Sequence, residues 1–577
     1  MRNLSRLAPV VAVFLGWMAS TSNGAVVQPS EVVFMYQGSR ETYAAYGATV
    51  LAWGGKPNPK ARAEAAGVRW FGSVGMVTEF SEFHRRFPGR YEEALCRDVH
   101  GKPVKVPWLT DHQSQGVPYW WCCTRQPLFQ QFLRERVVET LQAGADGLHI
   151  DDHLGTAGGL WLGLCFCDRC VDGFRVHLAA LPADERPRLG LGTVETFNFR
   201  EEVRRWIEAD SAAPRKVTDH PLWPTWTAYQ CRGAAAFMLE LRQLAERTAG
   251  HPVPVGANAG LLWPRHLSDY QALDLFTAET DHHAARRQFD DTPLFAYRLA
   301  EAMGRPYAAT ASGGDWAFIK ENNLPGLVRG WIALSYAAGQ RLMAPHHQWC
   351  YTPAKGTHWY DGSTERFAPL YRFVRTNATW FDGFNTYADL AVLLPHRSYA
   401  QNPQRWFDIA NRLAATNLTY RFVVAGDEIV DRSLRPEDLA SAPGLLLPVA
   451  DAYLPADQAV LNAHLQTQSA FRDVDDAIAK VGPAVRLPNS PPVRVLPRVK
   501  PGAMVLHLLN YQYDPTRDDV LPLEDIAVHL DLPRLGVPKA KTGRWITPDA
   551  DPVALPVIDG RVVIPRLGLW GLLAVED

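Results

Sequence analysis

The stretch "GADGLHIDDHLGTAGGLWLGLCFCDRC", residues 144–170, decides the fold. A short apolar run ends on two adjacent carboxylates, and three cysteines in C-x-C-x-x-C spacing follow one loop later. In an extended strand successive side chains point to opposite faces. Leu148 and Ile150 therefore share one face, and His149 and Asp151 the other. A strand wrapped by helices needs an apolar outer face, so the polar pair turns toward the centre of a barrel. In barrels of alternating strands and helices the C-terminal strand ends carry the active site. Asp152, the first loop residue, reaches the same rim.

Working outward, apolar runs alternate with helical patterns from about residue 31 to 383. The runs are "EVVFMYQ", "ATVLAW", "VRWFGSVG", "GLHIDD", "VPVGANAG", "LDLFTAET", "PYAATAS" and "QRLMAPHH". Between them lie amphipathic helices such as Pro127 to Leu141, with Phe129, Phe132, Leu133, Val137 and Leu141 on one stripe. Another runs from Tyr229 to Ala249 and is stopped by Gly250. Eight strands separated by helices predict an α/β chain built on a (β/α)₈ TIM barrel, of roughly 250 residues plus insertions. The alternative is an open doubly wound sheet, which the lack of G-x-G-x-x-G after the first strand disfavours.

The expected organisation is a signal peptide over 1–25, the barrel over 26–383, a small α/β (flavodoxin-like) domain over 384–487 and a β-sandwich over 488–577. Arg2 and Arg6, the apolar Leu7 to Ala19 and the small residues "STSNGA" make the secretory signal, so the chain is expected to be secreted or periplasmic. The small α/β domain is read from "ADLAVLLP", "YRFVVAG" and "GLLLPVA". The Pro-rich "LPNSPPVRVLPRVKPG" reads as a linker, and "AMVLHLLNY", "IAVHLDL" and "RVVIPRLGLWGLLAV" as antiparallel strands. Formal net charge is −2 without a basic run, which argues against nucleic acid or a membrane surface as partner. The 19 tryptophans are enough to supply flat apolar faces for sugar rings as well as core packing.

Other strand ends repeat the inward polarity. In "LDLFTAET" Phe276 and Ala278 alternate with Thr277 and Glu279; Asn258 ends "VPVGANAG"; His346 and His347 close the eighth run. Two carboxylates in different surroundings, one ionised and one protonated, are what glycosidic bond cleavage needs. Asp151 and Glu279 are the expected catalytic pair, with Asp152 as the substitute for Asp151. His149, His153, Asn258, Asp315, His346 and His347 are expected to line a sugar site, and Trp120, Trp121, Trp263 and Trp316 to stack on sugar faces. Two other classes stand beside this one: a non-catalytic carbohydrate-binding barrel, and a metal-dependent hydrolase or esterase using the His and Asp residues of "HIDDH", "ETDHH" and "APHH". No H-E-x-x-H and no G-x-S-x-G occurs.

Cys165, Cys167 and Cys170 with a fourth cysteine, Cys122 or Cys123, make a structural zinc site, or one of the three forms a disulfide with Cys96 or Cys122. "GLHIDDHLG" followed by "CFCDRCVDGFRVHL" resembles the fourth-strand region of family 42 β-galactosidases and related glycoside hydrolases of the same barrel type. The resemblance implies Cys123, Cys165, Cys167 and Cys170 as zinc ligands, Cys123 lying before Pro127 as the family's remaining ligand does. It also implies that the small α/β domain resembles a trimerisation domain, hence a homo-oligomer. The catalytic residues depart from that family. Asp152 falls where its Asn stands and His153 where its general-acid Glu stands, and the seventh run has no Glu, only Asp315 beyond its end. An Asp on strand four with an acid on strand six instead resembles dextranases and α-galactosidases, in which the strand-four Asp is the nucleophile. The chain is thus expected to be a glycoside hydrolase acting on oligo- or polysaccharides, needing no cofactor for catalysis and holding at most a structural zinc.

Overall fold

A computed structural model describes residues 26–182, 184–209, 215–440 and 442–577. The expected signal peptide lies outside the described residues. Eight parallel strands form one sheet in sequence order: β1 (Val33–Phe34), β2 (Val50–Leu51), β3 (Arg69–Gly75), β4 (Gly147–Asp151), β5 (Val255–Asn258), β6 (Leu275–Thr280), β7 (Tyr307–Ala311) and β8 (Arg341–Leu342). The Ala344 amide donates to the Val33 carbonyl at 2.7 Å, joining the two ends of the sheet. The fold is a (β/α)₈ barrel, each run of the sequence supplying one strand.

Outward packing follows the alternation. Leu148 and Ile150 of β4 are buried in the same core as Phe129, Phe132, Leu133 and Val137 of the helix Pro127–Gln142. The helix expected from Tyr229 begins earlier, at Trp223, and runs to Ala249, with Pro224 in its first turn, where a missing N–H costs nothing. Two departures concern the rim. Between β5 and β6 there are only short 3₁₀ turns, Pro264–Leu267 and Tyr270–Ala272. After β8 the chain leaves the barrel at Pro345, and His347 opens an antiparallel hairpin, β9 (His347–Thr352) with β10 (Gly356–Asp361).

Beyond the barrel, Leu390–Pro395, Tyr420–Ala425 and Gly444–Leu446 pair as a parallel three-stranded sheet. Two antiparallel sheets follow, one of six strands and one of three. The expected linker is largely strand: Val493–Lys500 pairs along its whole length with Ala503–Asn510. Pro497 is accommodated because this strand is next to the sheet edge, and its carbonyl still accepts from the Tyr387 amide at 3.0 Å. Among the described residues no helix is long and apolar enough to cross a membrane.

Candidate active site

Asp151 and Asn258 close β4 and β5, and Glu279 is the last but one residue of β6, three consecutive staves; all three face one cleft of about 630 Å³ at the C-terminal mouth of the barrel. Asp152, His153, Trp121 and Trp263 line the same cleft, but Trp121 is buried, edge-on to Trp108 and donating to the Gly155 carbonyl, so it leaves no face for the sugar expected on it. Asp151 accepts hydrogen bonds from the Thr78 hydroxyl (3.2 Å), the Asn258 amide (3.2 Å) and the Asp152 backbone N–H (3.1 Å). Gly75, the partner of Asp151 in the β3–β4 register, makes room for this: a Cβ there would overlap the Thr78 hydroxyl. Asp152 adopts φ 51°, a left-handed conformation that Asp tolerates better than most residues.

The acids have different electrostatic surroundings. Burial, and then the charge of Asp151, push the Glu279 carboxyl up from 4.5 to about 7, with the Asn258 amide opposing. Burial raises Asp151 above its ordinary value, while the hydrogen bonds from Asn258 and Thr78 pull against it. Asp152 is pushed well above the carboxylate range, by burial first and then by the charges of Asp151 and Glu279. Carboxyls raised together by burial in one cleft are a mark of functional sites. Tyr36 also lies within the field of both Glu279 and Asp151, which with burial raises its phenol.

His153 is buried and its Nδ1 is 2.7 Å from Asp269; its ring meets His266 edge-on at 5.1 Å. His149 faces inward as expected but lies beneath the cleft, fully buried and stacked 4.3 Å from Trp53. Burial, then His153, lower it to about 3, so it is a neutral ring packed in the floor rather than a sugar contact.

Other expected rim residues are placed elsewhere. Asp315 is buried and accepts from the backbone amides of His282 (2.8 Å) and Ala284 (2.7 Å) and from the Ser312 hydroxyl (3.0 Å), so it ties down the loop after β6. Trp316 is 1% exposed and donates to Thr310, leaving no face for a sugar. Trp120 lies outside the cleft, beneath the Lys105 ammonium. His346 is packed on Phe34, and His347 is on the hairpin, 2.6 Å from Asp361. Among the described residues the His and Asp side chains do not gather into a group of three or more potential ligands.

Several cleft residues were not anticipated: Tyr36, Trp53, Thr78, Trp108, Trp161 and Arg265. Tyr36 and Trp53 each stand two residues past a strand end, at the parity of the outward Phe34 and Leu51, so they reach the cleft only because the chain has left the strand, and alternation gave no signal for them. The loop carrying Trp263 and Arg265 is braced from the small α/β sheet. His396 Nδ1 is 2.7 Å from Asp427 and its Nε2 is 2.9 Å from the Pro264 carbonyl, while the Tyr399 hydroxyl donates to the Leu261 carbonyl at 2.6 Å.

The cysteines gather. The sulfurs of Cys123, Cys165, Cys167 and Cys170 all lie within 4.8 Å of one another, and all four residues are buried. Cys123 is 3.6 Å from Cys170 and 3.8 Å from Cys167. A tetrahedral zinc with bonds of 2.3 Å separates its sulfurs by about 3.8 Å, so the donor set fits. The Arg97 backbone N–H and the Gln126 amide donate to Cys165 and Cys167, each at 3.5 Å. All eight cysteines are free thiols, without the disulfide considered above.

Fold and site together define a barrel with an acid-lined mouth, and solved structures share the fold. An α-L-fucosidase isoenzyme from Paenibacillus thiaminolyticus superposes with a TM-score of 0.59 at 14% identity, over 95% of this chain and 100% of that one. A family 42 β-galactosidase from G. stearothermophilus superposes with a TM-score of 0.57 at 10% identity, over 96% and 99%. No family model matches the chain. Among individual proteins, an α-agarase of Thalassotalea agarivorans is 21% identical over 95% of this chain. The chain spans about 40% of the length of the curated relatives it matches.

Proposed function

We propose that the chain is an exported glycoside hydrolase that cleaves a polysaccharide, with Asp151 as nucleophile and Glu279 as general acid/base. The observation that carries the reading is the shared cleft in which an Asp held by three hydrogen-bond donors faces a Glu raised to about 7. Export rests on the N-terminal sequence pattern. The α-agarase name of the relatives makes agarose the first substrate to try.

In the reaction, the Asp151 carboxylate attacks the anomeric carbon while Glu279 gives its proton to the departing glycosidic oxygen. The C–O bond breaks and a glycosyl ester on Asp151 forms. Glu279, now ionised, takes a proton from water, which attacks the anomeric carbon and releases Asp151. Asp152, whose carboxyl burial and then the charges of Asp151 and Glu279 push upward, stands beside the pair in the same cleft. The amide of Asn258 serves both partners, holding Asp151 while opposing the rise at Glu279.

Zinc, when bound, would be held by Cys123, Cys165, Cys167 and Cys170 and would cross-link the chain. Four thiolates leave it no open position, so the role is structural.

The test is release of reducing ends from agarose, alongside a panel of other polysaccharides and aryl glycosides. D151N is expected to lower turnover by about a thousandfold or more while the protein still folds and melts cooperatively. Near-normal rates in D151N would remove Asp151 from the reaction.

A further inference from the structure

Of the tryptophans among the described residues, three are strongly exposed; two line the cleft and the third touches Tyr36, which lines it. Trp161 is 51% exposed, Trp263 58% and Trp359 39%. An exposed indole gives up the burial that usually stabilises so large a side chain, so a cluster at one opening is informative. Trp161 and Trp263 stand on the loops after β4 and β5 and line the cleft. Trp359 stands on the hairpin that follows β8, stacked 4.5 Å from His347 and edge-on at 5.2 Å to Tyr36, which lines the cleft just past β1.

The strand order runs from β1 to β8 around the ring, so β5 stands across the mouth from β1. The platforms therefore lie on opposite flanks, two beyond β4 and β5 and one beside β8 and β1. A line between them crosses the opening into which Asp151 and Glu279 project. A single terminal sugar would be served by one flank and a closed end. Flat apolar faces on both sides suit a chain that enters on one side and leaves on the other.

We infer that Trp161 and Trp263 on one flank and Trp359 on the other are stacking platforms for successive sugar rings. The cleft then takes a polysaccharide across the barrel mouth and cuts it internally. This rests on the glycoside hydrolase reading for the cut, though not for the binding. The platforms are exposed, so W161A, W263A and W359A leave the core intact.

The experiment is titration of the full-length protein with oligosaccharides prepared from agarose, from disaccharide to octasaccharide, together with product sizing on the polymer. Affinity is expected to climb with length. W359A and W161A should each lower hexasaccharide affinity about tenfold, the effect of one aromatic contact of about 1.4 kcal/mol, and W359A, whose ring lies outside the cleft lining, should leave disaccharide affinity unchanged. Early products from the polymer should be mixed in length. Length-independent affinity, or hexasaccharide binding untouched by W359A, would overturn the platforms even if hydrolysis proceeds. Length-dependent binding without hydrolysis would sink the enzyme reading and keep the platforms. Failure of every length to bind would overturn both.

Discussion

Asp151 accepts from three donors, whereas at Glu279 burial and the charge of Asp151 prevail over the one opposing amide. Turnover should accordingly fall as pH rises through about 7, where Glu279 loses the proton it has to give, and E279Q should lack that limb in a pH profile of kcat. Stability has its own sign. The folded state favours neutral Glu279, whose value lies above the ordinary 4.5, so its contribution is full below that value and is lost as pH rises through about 7. E279Q, permanently neutral, should therefore melt above the wild type at about pH 8 and show no such advantage at about pH 4. The acids were legible because strand parity holds to Asp151 at the end of β4 and to Glu279 one residue before the end of β6. Parity fails where a helix begins, which is why Asp315 and Trp316 misled: "SGGD" is a helix-start pattern, and Ser312 accepts from the Asp315 amide at 3.2 Å. Trp161 had no periodic signal, since its loop folds as a 3₁₀ helix, Gly155–Leu162, tied in part by the Trp121 ring N–H to the Gly155 carbonyl.

At the scale of elements, the eight barrel strands were readable because each is an apolar run between helices, whereas the strand Val493–Lys500 was hidden by Pro497 and the prolines flanking it. The cysteine cluster joins two elements far apart in sequence. Cys123 precedes the helix Pro127–Gln142, and Cys167 and Cys170 open the helix Asp168–Ala179. The loop between β4 and that second helix carries Asp152, His153 and Trp161, so the cluster fixes the outer end of a cleft wall. C167S is expected to abolish stoichiometric metal in elemental analysis and lower the melting temperature by roughly 5 °C or more. The effect on cleavage of a small aryl glycoside should be slight, because Asp151 and Glu279 are fixed by barrel strands. Unchanged melting with no bound metal in either protein would show that the thiols pack without an ion.

At the scale of the molecule, the barrel does not finish its own rim. With no α-helix between β5 and β6, the Trp263 loop takes support from the small α/β sheet through His396 and Tyr399. Y399F removes one buried hydrogen bond and should cost about 1 kcal/mol in denaturant unfolding. H396A strips Asp427 of its ring partner and should cost about 3 kcal/mol. In both, the loss should appear in KM for a long substrate before kcat for a short one. If KM for polymer is unmoved while stability falls, the brace serves folding only. The division of labour between domains was not readable from the sequence, because hydrogen bonds from His396 and Tyr399 to backbone carbonyls leave no trace in residue pattern.

On the function proposed above, that brace would make the α/β portion a silent author of specificity. Changes around His396 would retune how the barrel grips its cargo without touching any atom the cargo meets. A barrel excised for engineering, or grafted onto a foreign neighbour, would carry its chemistry intact and lose its grip on one flank.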